Sequence, residues 1–231
     1  MQKTIDPAPE KGRLPAPPVR RGLLAAKAAA CARCQACPLY RNATQAVFGE
    51  GRAGAAVMLV GEQPGDAEDL AGRPFVGPAG LLLDAALREA GLQRRDVYVT
   101  NAVKHFGFEQ RGKHRLHKKP GSAEVRACRP WLLDELTIVR PHVIVALGAT
   151  AAAALFGPSV KLTRDRGHAL AVAVTPIQQA APGATLLVTF HPAAVLRAPT
   201  SERRAELRAL LTGDLALAGR LAGKSRGPSP S

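Results

Sequence analysis

Four short valine-rich runs constrain the fold of this chain more than any other feature. They are Ala56–Val60, Val97–Thr100, Val143–Leu147 and Leu186–Thr189. Each ends at a turn-prone or polar position: Gly61, Asn101, Gly148, and His191 after Phe190. A brief, unbroken apolar run of this kind reads as a strand buried on both faces. Helical patterns alternate with the runs, over Leu23–Ala36, Gly80–Ala90, Ala123–Val139, Ala149–Phe156 and Ser201–Leu217. Strands that alternate with helices imply a parallel sheet covered on both sides. The expected fold class is therefore α/β, a three-layer α/β/α sandwich with a central, mostly parallel four-stranded sheet. Ligands of such sheets bind beyond the carboxyl ends of the strands. That rule brings the Gly61–Asp66 loop, Asn101 and His191 to one rim.

Charge points to the partner. The chain holds 32 Lys and Arg against 18 Asp and Glu, a formal net charge of +14. A polyanion fits that balance, nucleic acid first and an anionic membrane surface a distant second. A hydrophobic share of 46% excludes a wholly disordered chain. No apolar run reaches the roughly 18 residues of a membrane span. The N-terminus lacks the apolar centre of a signal peptide, so a cytoplasmic, nucleoid-associated location is expected. Residues 1–22 read as a disordered arm, 23–218 as one domain, and 219–231 as a disordered tail. A monomer is the default expectation.

Cys31, Cys34 and Cys37 recur every third residue, and Cys128 stands far from them. In a reducing compartment such clustering argues for metal rather than disulfides. The spacing leaves zinc and an iron–sulfur cluster both open. His105, just past the second strand, is the candidate fourth ligand beside Cys34, Cys37 and Cys128.

The first strand runs into Gly61-Glu62-Gln63-Pro64-Gly65-Asp66, followed by Pro74-Phe75-Val76-Gly77-Pro78-Ala79-Gly80. This loop is long for a tight connection and carries four carboxylates: Glu62, Asp66, Glu68 and Asp69. Residues 104–119 form a basic segment with six Lys or Arg against one Glu. Long connections of that kind are uncommon in compact domains unless functional. Together, GEQPGD with PFVGPAG, TNAVKHF and HPAAVLR resemble the uracil-DNA glycosylase superfamily near its iron–sulfur branch, family 4. Gly112-Lys113-His114-Arg115-Leu116-His117 is similar to the KRRIH-type insertion of the UdgX group, with His114 in place of an arginine. The resemblance spans roughly residues 30 to 215.

The resemblance implies a [4Fe–4S] cluster on Cys34, Cys37, His105 and Cys128. Ordinary family 4 members carry cysteine where this chain has His105. Cys31 is then an extra cysteine, and a register through Cys31 and Cys34 stays open. The implied substrate is uracil-containing DNA, single-stranded by preference, with the base flipped into the site. Phe75 would stack on the uracil, and Asn101 would read its Watson–Crick edge. Backbone N–H groups of the Gly61, Gly65 and Asp66 loop, with His191, would donate to uracil O2. Arg115 would hold the loop or a phosphate. Gln63 occupies a position where conventional members place a water-activating group, and an amide has no basic function. His117 is then the candidate nucleophile on C1′ of the sugar, with Glu62 as acceptor for its proton. The result would be a persistent covalent adduct. The alternatives are a conventional glycosylase that turns over, and a non-catalytic metal-containing nucleic-acid-binding module.

Overall fold

The computed structural model describes residues 18–157, 159–170 and 175–224. Its strands are β1 (Val57–Gly61), β2 (Val97–Asn101), β3 (Phe108–Arg111), β4 (His114–His117), β5 (Val143–Leu147) and β6 (Thr185–Thr189). Its helices begin with α1 (Pro18–Cys31), α2 (Asp66–Ala71), α3 (Pro78–Glu89), α4 (Ser122–Val139) and α5 (Ala149–Phe156). The remainder are α6 (Leu162–Asp165), α7 (Thr175–Ala180), α8 (Pro192–Leu196) and α9 (Ser201–Lys224).

The four valine-rich runs pair as one parallel sheet in the order β2-β1-β5-β6. Successive side chains of a strand point to opposite faces. Met58 and Val60 of β1 accordingly join Ile144, Ala146, Leu186 and Val188 in one core, beneath α4, α5 and α7. Val57 and Leu59 join Val99, Val145 and Leu187 in a second core, beneath α3, α8 and α9. Two cores, one on each face, make the three expected layers. The chain leaves β1 for β2 on one side, then places β5 on the other. The carboxyl ends of β1 and β5 therefore flank a switch point, where open α/β sheets bind ligands.

Several boundaries move. The first helix begins at Pro18 and ends at Cys31, not Leu23 and Ala36. Proline suits a first helical position, since its missing N–H has no partner there anyway. Residues 18–22 are thus helical rather than part of a disordered arm, and residues 1–17 lie outside the described residues. The last helix runs to Lys224, past the expected start of the tail. Its buried stripe explains the extension: Leu207, Leu211, Leu215, Ala218 and Ala222 recur at helical spacing. Residues 225–231 lie outside the described residues. Among the described residues no helix is long and apolar enough to cross a membrane.

The basic segment is not a structureless loop. β3 and β4 form an antiparallel hairpin in which Phe108 faces His117 and Arg111 faces His114. Gly112 opens its two-residue turn at φ +58, a conformation that tight hairpins demand and glycine accepts.

Candidate active site

A cavity of about 700 Å³ opens over the carboxyl ends of the sheet. Glu62, Gln63, Gly65, Phe75, Asn101, His117 and His191 all line it. Gly61, Asp66 and Arg115 are not among its lining residues. Gly61 lies beneath, where a Cβ would strike the Asn101 side chain and the Phe75 ring. The absence of a side chain there lets both groups close over the strand end.

Phe75 is buried and adopts φ +55. A left-handed conformation costs a non-glycine residue about 1–2 kcal/mol. Its ring centroid stands 5.8 Å from that of His191, so the two rings share one wall. Asn101 is 2% exposed, and its side-chain Oδ1 is buried with no hydrogen-bond partner. A buried acceptor left open costs on the order of 1–3 kcal/mol unless a ligand satisfies it. His191 caps α8, its Nδ1 accepting the Ala193 N–H at 3.1 Å. Burial pushes the imidazole down to about 4, against the pull of Glu62, so the ring is neutral near pH 7. With Nδ1 accepting, the neutral tautomer carries its proton on Nε2.

At the mouth, His117 Nε2 stands 3.3 Å from Glu62 Oε1. The other carboxylate oxygen, Oε2, accepts the Thr150 hydroxyl. Burial raises the Glu62 carboxyl, but the bonds from His117 and Thr150 outweigh it and hold the group below the usual carboxylate range.

The hairpin carrying His117 is pinned at both ends. Gln63 Nε2 donates to the carbonyls of Gly107 at 2.9 Å and Lys118 at 3.0 Å, and its Oε1 accepts the Gly107 N–H. The amide, on the cavity wall, is therefore a clamp on the hairpin base. Arg115 reaches Asp66 at 2.5 Å and the fully buried Asp69 at 2.6 Å. Its guanidinium also lies over Phe106 and Phe108, 5.5 Å and 5.2 Å from the ring centroids. Arg115 thus ties the hairpin to the Asp66–Asp69 segment, the loop-holding role of the two expected for it. The Gly65 N–H donates to Glu68 Oε2 at 3.0 Å within the cap of α2. That commitment removes it from the expected donors to a base.

The cysteines come from two parts of the chain. Cys31 closes α1, Cys34 and Cys37 follow on successive turns, and Cys128 projects from α4. The Trp131 indole N–H donates to Cys34 Sγ at 3.2 Å, and the Lys104 backbone N–H to Cys128 Sγ at 3.4 Å. His105 is 3% exposed and its Nδ1 is buried without a partner. Burial pushes the Cys128 thiol up to about 11, against the Lys104 N–H. Cys34 and Cys128 receive N–H bonds, as cluster-ligating sulfurs do, and the His105 ring nitrogen is left open. Among the described residues no three His, Cys, Asp or Glu side chains converge tightly enough for a single metal ion.

Lys104 departs most from expectation. It belongs to the basic segment by sequence, yet it is 0% exposed. Its ammonium donates to Thr100 Oγ1, to the Asn101 carbonyl and to Glu135 Oε2, each at 2.7 Å.

Residues 48–213 match the family model of the Uracil DNA glycosylase superfamily. The chain belongs to that superfamily. It is similar to the Type-4 uracil-DNA glycosylase of Thermotoga maritima, 41% identical over 184 residues, 79% of this chain and 86% of the relative. The Type-4 uracil-DNA glycosylase of Pyrobaculum aerophilum is 41% identical over 170 residues, 72% of this chain and 81% of its own. That of Archaeoglobus fulgidus is 34% identical over 197 residues, 84% and 90% of the two chains.

Within this member of the superfamily, sequence reasoning missed Thr150, Lys104 and the hairpin clamp. Thr150 sits in an alanine-rich helix start with no motif to single it out. The signal for the hairpin was Gly112 alone, between two segments of mostly polar residues.

Proposed function

We propose that the protein excises uracil from DNA, single strands by preference, and that His117 then captures the sugar as a covalent adduct. The names of the relatives support excision of uracil from DNA, and the His117–Glu62 contact at the cavity mouth carries the capture. Single strands spare the enzyme the unpairing cost of flipping a base. The open Asn101 Oδ1 supports recognition of uracil by its N3–H, which cytosine lacks. The neutral His191, with its Nε2 proton, supports a donor to uracil O2 as negative charge builds on the leaving base. Phe75 supplies a wall on which the base stacks.

The chemistry balances as a substitution. The C1′–N1 bond breaks and uracil leaves with the electron pair. A lone pair of the His117 imidazole forms the new bond to C1′. The nitrogen turned to Glu62 shares its proton with the carboxylate, and that proton ultimately neutralises the departed uracil anion. Glu62, held below the usual carboxylate range, is ionised for this role at neutral pH. An alkylated imidazole is a poor leaving group, so the adduct persists. Gln63 offers no base to water in competition; it holds the hairpin that presents His117.

Cys34, Cys37, Cys128 and His105 would hold a [4Fe–4S] cluster, which would supply a rigid cross-link between the α1 turn, α4 and the loop after β2. Cys31 remains outside that set.

A second reading follows from the relatives, which are named as Type-4 enzymes without mention of an adduct. In it the glycosylase turns over and His117 only contacts DNA. Incubation with uracil-containing single-stranded DNA, resolved on a denaturing gel, separates the two. A shifted band lost in His117→Ala supports capture; repeated turnover with free protein supports the second reading.

A further inference from the structure

Glu62 follows β1 and Thr150 follows β5, two adjacent strands whose ends flank the switch point of the sheet. We infer that Thr150 is a positioning residue, fixing the Glu62 carboxylate so that Oε1 is presented to His117. The inference rests on the proposed role of His117 and adds a third member to that pair.

The geometry carries it. Thr150 is 8% exposed, in the first turn of α5 and on the wall of the cavity. Its hydroxyl turns away from its own helix and donates to Glu62 Oε2, while Glu62 Oε1 lies 3.3 Å from His117 Nε2. A carboxylate on a two-carbon stem rotates freely about its last bond, so one oxygen held by Thr150 sets the direction of the other. The arrangement follows the general logic of a base oriented by a third group. Gly148 caps the helix at φ +90, where a Cβ would crowd the His191 side chain. That close approach brings the start of α5 against the His191 segment and fixes Thr150 relative to the pocket.

The groups facing Glu62 come from three elements: His117 from β4, Thr150 from α5, and His191 at the head of α8, itself under the influence of Arg197. Of these, Thr150 donates through a hydroxyl that stays un-ionised across the pH range, so removing it leaves every ionisable group in place.

The test compares wild type with Thr150→Val, Thr150→Ala and Thr150→Ser. Single-turnover adduct formation on uracil-containing single-stranded DNA is followed from acid to neutral pH. Loss of one bond to a charged group predicts roughly a tenfold slower reaction at neutral pH for Thr150→Val and Thr150→Ala. The acid limb also moves to higher pH, because the carboxylate loses a donor that lowers it, and Thr150→Ser recovers both properties. Thr150→Ala serves where valine disturbs packing. A carbon-13 titration of the Glu62 side chain reads the same contact without substrate, moving upward in Thr150→Val and not in Thr150→Ser. Wild-type rate and pH profile in both hydroxyl-free variants would overturn the inference, as would a serine variant as impaired as the valine. Absence of any adduct in wild type overturns the proposed capture instead, and the titration then decides the Thr150 contact on its own.

Discussion

Replacing Lys104 with methionine removes an ammonium from a site with no access to water. Lys104 and Glu135 are both 0% exposed, and their 2.7 Å contact is one of three bonds the ammonium donates. Glu135 would keep its bonds from the Gly49 N–H, Tyr98 and Thr100, but all three donors are neutral. Breaking a buried pair on one side costs about 3–5 kcal/mol, because the remaining charge is uncompensated. At about 2–4 °C per kcal/mol for a domain of this size, melting should fall by about 6–20 °C. Lys104→Met combined with Glu135→Gln removes both charges and keeps an acceptor for the neutral donors, so the double variant should melt above Lys104→Met alone. Thermal melts of wild type, both single variants and the double variant at pH 7, with metal content matched, form the cycle. A Lys104→Met melt within about 2 °C of wild type would refute the reasoning, as would a double variant less stable than the sum of the single losses.

Two further predictions concern the proposed cluster ligands and the pocket. Cys128→Ala and Cys37→Ala should lose iron and visible absorbance on purification, while Cys31→Ala should retain both; an iron-free Cys31→Ala would instead select the register through Cys31. His191 has a folded value of about 4, below the roughly 6.5 of an unfolded histidine. Its contribution to stability is therefore present above about 6.5 and lost as pH falls through about 4. Urea melts from pH 7 to pH 4 should show wild type losing stability faster than His191→Gln over that window. Parallel curves would contradict a neutral, desolvated ring.

The sheet was legible because its strands are buried on both faces and so appear as unbroken valine-rich runs. Val143–Leu147 kept its expected bounds, and the other three strands shifted by a single residue at one or both ends. The rim was legible too, since Glu62, Asn101 and His191 follow three of those strands. The hairpin was not. Its strands carry little apolar patterning, and it is held by Arg115 across Phe106 and Phe108 and by the Gln63 amide, contacts that no periodicity encodes. Lys104 misled for a related reason: composition counts a lysine as surface charge, and only the fold reveals Glu135 opposite it. The end of α9 was lost to its charged and glycine-containing tail, although Ala218 and Ala222 continue its buried stripe.

Whether His117 bonds to the sugar is the most direct question. Intact-mass spectrometry after incubation with a uracil-containing single-stranded oligonucleotide answers it. The account predicts a species equal to protein plus oligonucleotide minus uracil, with the linkage mapped by peptide fragmentation to His117 and absent from His117→Ala. Unmodified protein beside a base-free oligonucleotide, or a linkage mapped to His114, would contradict it.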